Sequence, residues 1–121
     1  MADTGETLVQ EAVDAALAWL ALVDAGSYAE AWEASSVLMK GAITEAGLSA
    51  ALRGARGPLG SLEEREVSAS AYATELPGAP DGEYVVIETK ARFAHKAHAV
   101  ETVTPRRDPD GAWRVSGYFI R

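Results

Sequence analysis

The chain has 121 residues, of which 48% are hydrophobic and 24% are charged, so it has the length and composition of one globular domain and is neither disordered nor membranous. With 18 acidic against 11 basic residues, the net charge of -7 argues against nucleic acid as a partner, because such a surface repels phosphates. The absence of cysteine excludes disulfides, thiolate metal sites and a cysteine nucleophile, and we predict a single domain over residues 1–121.

The first predicted element is an amphipathic helix over residues 6–24. Its apolar residues, from Val9 to Ala21, recur at the three- and four-residue spacing of a helix with one buried stripe. The apolar stretch from Ala12 to Val23 is shorter than the roughly 20 residues that span a bilayer, and acidic residues precede it where a signal peptide is basic. We therefore predict no membrane association, and a cytoplasmic protein, or a periplasmic one if a signal was removed.

Two further helices are predicted after the first. The second opens at a capping box formed by Ser27 and Glu30 and runs to about Gly41. The third is shorter and runs from about Ile43 to Leu52 or Ala55, before Pro58, which cannot continue a helix. The helical part of the chain is therefore expected to end just before residue 60.

After Gly60 the apolar period changes from about 3.6 residues to the alternation of a strand, which predicts four strands. Segments rich in proline, glycine and aspartate separate several of them. Three helices followed by four consecutive strands indicate an α+β domain, in which a curved, meandering antiparallel sheet wraps around the helices. The predicted strands are residues 63–76, 83–94, 97–104 and 113–121.

Several segments of the chain carry a family resemblance. They are Ala18–Tyr28, Ala31–Trp32, Arg56–Gly60, Leu76–Tyr84, Val100–Val103 and Gly111–Tyr118. In this order they resemble the bacterial family known as domain of unknown function 4019, and the likeness covers nearly the whole chain. The resemblance implies a fold similar to the cystatin-like, nuclear transport factor 2-like cone, in which a curved sheet often leaves a pocket against the helices. Because sheets of that superfamily commonly pair, it also implies a homodimer through the sheet.

Glu101 is the most informative carboxylate of the sequence. It lies between Ala99 and Val103 on one face of the third predicted strand. If that face points inward, the carboxylate is buried and must be paired or neutralised, and either state suits acid/base chemistry. The alternatives are that the other face points inward and Glu101 is solvated, or that Glu101 only holds an arginine. The expected partners are Arg56 and Arg53, which follow the third helix.

Two other motifs resemble a phosphate site and a metal site, but their context does not support either. The glycines around Arg53 and Arg56 follow a helix and lack a Lys-Ser or Lys-Thr pair, so they indicate a helix end with basic residues near its negative pole. His95, His98 and Glu101 have a spacing that gathers metal ligands on a helix, whereas on a strand residues three apart point to opposite faces. We therefore predict no metal ion and no cofactor.

Aromatic residues complete the candidate site. Trp32 and Trp113 are expected in the core, with pocket lining as the alternative. No serine lies in a GxSxG motif, and neither histidine stands in a context that identifies it as a base. We predict no catalytic residue, and the candidate ligand-binding residues are Trp32, Arg56, Glu101 and Tyr118.

Two functions are compatible with these residues. The first is a non-enzymatic module that binds a small molecule, a peptide or a second copy of itself, through the interior of the cone or through the sheet face. The alternative is an acid/base isomerase or dehydratase with Glu101 as base and Tyr118 or Tyr72 as hydrogen-bond donor. The alternative depends on similarity of fold, which is a weak argument for function, so we expect the module.

Overall fold

A computed structural model describes residues 5–121 and places the helices before the strands. Adjacent strands pair antiparallel in the order β1-β2-β3-β4, which confirms the predicted α+β class and the meandering four-stranded sheet. No helix within the described range is long and apolar enough to cross a membrane. The elements are α1 (Gly5–Asp24), α2 (Tyr28–Glu33), α3 (Val37–Ala42), α4 (Glu45–Arg56), a 3-10 helix (Gly57–Leu59), β1 (Leu62–Ala73), β2 (Tyr84–Phe93), β3 (Lys96–Arg107) and β4 (Trp113–Ile120).

The predicted second helix is two helices, so that residues 5–121 contain four α-helices where three were expected. The interruption lies at Ser36. Its backbone N–H donates to the carbonyl oxygen of Val115 in β4 at 2.8 Å, and its hydroxyl accepts from the N–H of Leu38 and so caps α3. An N–H that is committed to a strand cannot continue a helix. Ser27 is the N-cap of α2 as predicted, although its side chain makes no capping hydrogen bond.

The main core lies between α1 and the inner face of the sheet. Trp19 and Leu20 of α1 are buried against a set of apolar side chains that includes Val103 of β3. The indole N–H of Trp19 donates to the carbonyl oxygen of Ala31 and to the hydroxyl of Ser35, both at 3.0 Å. These bonds tie α1 to α2. The stripe predicted for the first helix faces the core only in part, since Leu17, which falls on the predicted spacing, is 38% exposed and Trp19 is buried instead.

A bulge in β4 decides which of its side chains face inward. Thr104 pairs with Gly117 and Pro105 pairs with Val115, so that Ser116 is an extra residue in β4. Beyond the bulge Tyr118 pairs with the fully buried Val103. Tyr118 therefore shares the inner face with Val115, although the two residues are an odd number of positions apart.

Candidate functional site

Four charged side chains meet where the ends of α1 and α4 lie against the inner face of the sheet: Asp24, Arg56, Arg65 and Glu101. We call them the charge cluster. Glu101 is fully buried, and the side chains of Arg56 and Arg65 are 5% and 9% exposed. Two carboxylates and two guanidinium groups balance in charge, which is the condition for burying ionic groups at an acceptable cost.

The carboxylate of Glu101 accepts four hydrogen bonds. Arg65 donates to it from Nε at 2.6 Å and from Nη2 at 3.0 Å, so the pair is bidentate. The hydroxyl of Thr89 donates to Oε1 at 2.8 Å, and the hydroxyl of Tyr118 donates to Oε2 at 2.6 Å. Because a carboxylate offers about four lone-pair sites, all of those on Glu101 are occupied by the protein itself.

Asp24 links the two arginines of the cluster. Arg65 donates to it from Nη1 at 2.7 Å and from Nη2 at 3.0 Å, and Arg56 donates from Nη2 at 2.8 Å. Nη1 of Arg56 lies 4.0 Å from Glu101, and its guanidinium carbon lies 4.5 Å from the centre of the Phe93 ring, in a cation–π contact. Arg65 therefore bridges both carboxylates, while Arg56 completes the charge balance.

Three groups of the site have shifted pKa values. Burial lowers the pKa of the Arg65 guanidinium, but hydrogen bonds to Asp24 and Glu101 and the charges of these carboxylates outweigh burial and raise that pKa above its ordinary value. Burial raises the pKa of the Asp24 carboxyl, but hydrogen bonds from Arg65 and Arg56 and their charges outweigh burial and hold that pKa below its ordinary value of 3.8. Burial, the charge of Glu101 and the hydrogen bond to it raise the pKa of the Tyr118 hydroxyl well above its ordinary value of 10.0. At neutral pH Asp24 is therefore ionised, and Tyr118 remains a hydrogen-bond donor.

Three of the four predicted ligand-binding residues come together, and the fourth does not. Arg56, Glu101 and Tyr118 lie in or beside the charge cluster. The indole N–H of Trp32 instead donates to the carbonyl oxygen of Ile43 at 3.0 Å, and the ammonium of Lys40 lies 5.2 Å from the centre of the Trp32 ring. Trp32 packs at the edge of the main core, where it fixes the loop before α4.

Arg65 is the partner of Glu101 that the sequence analysis missed. Arg56 lies near Glu101 as expected, whereas Arg53 lies 5.7 Å from the ring of Tyr28 and makes no contact with the cluster. A signal for Arg65 was present in the alternation of β1. Arg65 has the same parity as Val67, so it is a charged residue on the apolar face of its strand, and it pairs with an inward residue of β2.

Two open hollows lie beside the charge cluster, one with Asp24 and Arg56 in its wall and the other with Arg65. The first, of about 330 Å³, lies between the end of α1 and the end of α4. The second, of about 720 Å³, lies along β1, β2 and β3. Glu101 lines neither hollow, since protein side chains fill the space around it.

Replacing Asp24 by asparagine tests the electrostatic part of the cluster. We expect a loss of about 2 kcal/mol in the free energy of unfolding at pH 7, because two buried guanidinium groups lose a charged acceptor. The native protein should also lose stability as the pH falls below about 4, since a carboxyl whose folded pKa is lowered stabilises the fold only while it is ionised. This fall in the free energy of unfolding at low pH, the acid limb, should be smaller in Asp24→Asn. Urea unfolding curves taken between pH 7 and pH 2 measure it.

The matched control for this prediction is Asp14→Asn in the same helix. Asp14 is exposed, and its carboxylate accepts one hydrogen bond from Gln10. The control should change the free energy of unfolding by less than about 0.5 kcal/mol and leave the acid limb as it is. Equal effects of the two variants would contradict the role assigned to Asp24.

A family model described as protein of unknown function (DUF4019) matches residues 15–118. The matched range contains all four residues of the charge cluster, and Thr89 and Tyr118 as well. No curated protein and no solved structure gives a significant match.

Proposed function

We propose that this chain, which belongs to the family described as protein of unknown function (DUF4019), is a non-enzymatic interaction module that pairs with a second copy through the outer face of its sheet. The observation that carries the proposal is Phe119, whose side chain in β4 is 76% exposed. The helices pack on the opposite face of the sheet. An aromatic ring in water on an open sheet face is typical of the anchors that protein interfaces bury.

The outer face around Phe119 has the mixed character of an interface. Phe119 pairs with Thr102, Thr102 pairs with Glu88, and Glu88 pairs with Ala69, so that one row of outward side chains crosses all four strands. In a neighbouring row of the sheet, Ala71 pairs with the half-buried Val86. Small, apolar and polar residues thus alternate on this face, as they do in protein interfaces.

Charge supports a second copy as the occupant of this face. A further row contains Glu66, Lys90 and Val100, and it ends at Arg121, whose backbone pairs with that of Val100. Although the chain has a net charge of -7, this row and Glu88 together offer two acidic and two basic side chains. A twofold axis can therefore place acidic beside basic residues, as a self-complementary interface requires.

We also infer that the fold is the cystatin-like, nuclear transport factor 2-like cone. Helices on one face of a four-stranded meandering sheet, with three bulged pairs that bend it, support this inference. In this superfamily the free face of the sheet is the surface through which two domains commonly pair. The bulges are also what lets the sheet wrap the helices.

The charge cluster supports a structural role for Glu101 over the acid/base alternative. A general base must be within hydrogen-bond reach of the proton that it abstracts. Glu101 is 0% exposed, and Arg65, Thr89 and Tyr118 occupy its lone-pair sites. The same filling argues against the cone interior as the place for a small ligand, which leaves the surfaces of the sheet.

The variant Phe119→Lys tests the proposed pairing. We expect it to raise the dissociation constant of the dimer by at least about 30-fold, the effect of losing an interface anchor worth about 2 kcal/mol. Sedimentation equilibrium over a range of concentrations measures this change. Because the chain is acidic, an added lysine lowers the repulsion between copies, so weaker pairing cannot come from net charge.

The matched control is Val37→Lys. Val37 is 56% exposed on α3, on the helical side of the domain, and the substitution adds the same charge. We expect the control to pair as the unmodified chain does. A chain that stays monomeric at every concentration, or a control as weak as Phe119→Lys, would overturn the proposal.

A further inference from the structure

We infer that the free edge of β1 is a docking site for an extended peptide segment of a partner protein, which adds to the sheet as a fifth strand. β1 is the end strand of the sheet and pairs with β2 on one side. Within residues 5–121 no segment pairs with its other side. The unpaired N–H and C=O groups of such an edge are a template for a further strand.

The opposite edge of the sheet is closed in part, which singles out β1. The start of α3 packs against β4, where the N–H of Ser36 donates to the carbonyl oxygen of Val115 at 2.8 Å. This contact uses a backbone acceptor on the side of β4 that does not pair with β3, so it blocks an added strand at that edge. No comparable bond to the free side of β1 occurs in the described part of the chain.

The second half of β1 has few of the features that usually protect an edge. Residues 67–73 contain no charged residue, no proline and no glycine. Natural edges are commonly guarded by lysine, proline, a bulge or a covering helix. Here one bulge lies between Val67 and Ala69, and the five residues from Ala69 to Ala73 then pair with β2 without interruption. A regular stretch of that length can accept a strand of five residues.

The side chains of this half are also open on the inner side of the sheet. Val67 pairs with Thr89 and Tyr72 pairs with Val85, and both partners in β2 are fully buried. Val67 and Tyr72 are nevertheless 38% and 43% exposed. An added strand would place alternate side chains beside these two and bury them, as cross-strand pairs do.

Charge at the two ends of the edge indicates the kind of partner. Exposed acidic residues flank the neutral stretch, with Glu66 before it and Glu75 after it. A second copy paired antiparallel along this edge would bring the acidic ends together, which is unfavourable. The edge therefore fits a different segment, one with a neutral, β-prone centre and lysine or arginine at both ends.

The test uses two synthetic peptides with the full chain. The first has five alternating valines and threonines between pairs of lysines, and the second has the same lysines and three prolines in the centre. We expect the first to bind and to protect the amide hydrogens of residues 67–73 from exchange. The proline peptide has the same net charge as the first peptide, but its prolines have no N–H to donate to the backbone of β1. It should therefore bind at least about tenfold more weakly.

Two variants locate the binding on β1. Val67→Lys should weaken binding of the first peptide at least about tenfold, while Ala29→Lys, which adds the same charge at an exposed position of α2, should not. Phe119→Lys should bind the peptide normally, so failure here is distinguishable from failure of the proposed dimer. Equal binding of both peptides, no binding of either, or concentration-dependent protection of residues 67–73 without peptide would overturn the proposal.

Discussion

Replacing Arg65 by methionine is expected to lower the free energy of unfolding by about 3–5 kcal/mol, because removal of one partner leaves a buried charge uncompensated. Methionine preserves much of the apolar stem of the side chain, so the loss reports on the guanidinium. Glu101 would lose two of its four hydrogen bonds, and Asp24 would keep Arg56 as its partner in the cluster. Urea unfolding followed by circular dichroism measures the change.

The control for this prediction is Arg92→Met. Arg92 lies in β2, makes ion pairs with Glu63 and Glu64, and has a side chain that is 51% exposed. Pairs of this kind contribute at most about 1 kcal/mol, since water screens them and ordering the side chains costs entropy. A loss in Arg65→Met no greater than in Arg92→Met would show that the charge cluster does not stabilise the fold.

The type and order of the helices and strands were predictable because they follow from the spacing of apolar residues within each segment. The three- and four-residue spacing in α1 and the two-residue alternation in β2 each follow from which side of an element faces the core. The break between α2 and α3 was not predictable in this way. It depends on the bond from Ser36 to Val115, residues that are far apart in the chain and that meet only once the sheet has formed. The bulge at Ser116 has the same character, since it exists only in the register of β4 against β3.

The sequence singled out the central carboxylate of the site but did not identify all the residues that surround it. The sequence left open whether Glu101 is solvated, holds an arginine or serves acid/base chemistry, and the structure buries it in an ion pair with Arg65. The identity of the cation depends on strand register, because Arg65 and Glu101 are 36 residues apart and are brought together across β2. Trp32 shows the reverse case, since an aromatic residue on a helix gives no sign of whether it lines a site or packs at an edge.

The charge cluster also explains an unfavourable feature of α1. Asp24 is the last residue of that helix, where the macrodipole disfavours an acidic side chain, and the last turn contains no basic residue. The two arginines that bond to Asp24 come from α4 and β1, so the same carboxylate fixes the end of α1 to both elements. The cluster therefore holds the ends of α1 and α4 on the inner face of the sheet, on the side opposite to the outer face that we propose as a pairing surface.

The double variant Arg65→Met with Glu101→Gln is expected to be more stable than the sum of its single variants predicts. Glu101→Gln alone should cost about 3 kcal/mol, because it leaves two buried guanidinium groups with one carboxylate. Removing both charges leaves Asp24 with Arg56, which is again a balanced pair. We therefore expect a coupling of at least about 2 kcal/mol in a double-mutant cycle measured by urea unfolding.

The same cycle separates the structural role of Glu101 from the acid/base alternative. A surface cycle of Arg92→Met with Glu63→Gln should give a coupling below about 1 kcal/mol, which sets the scale for an exposed pair. A base kept for catalysis is commonly held at a cost to stability, so its removal is neutral or stabilising. If Glu101→Gln left the protein as stable as before and the cycle were additive, Glu101 would not be a structural partner, and the isomerase or dehydratase alternative would become the better explanation for a buried carboxylate beside Tyr118.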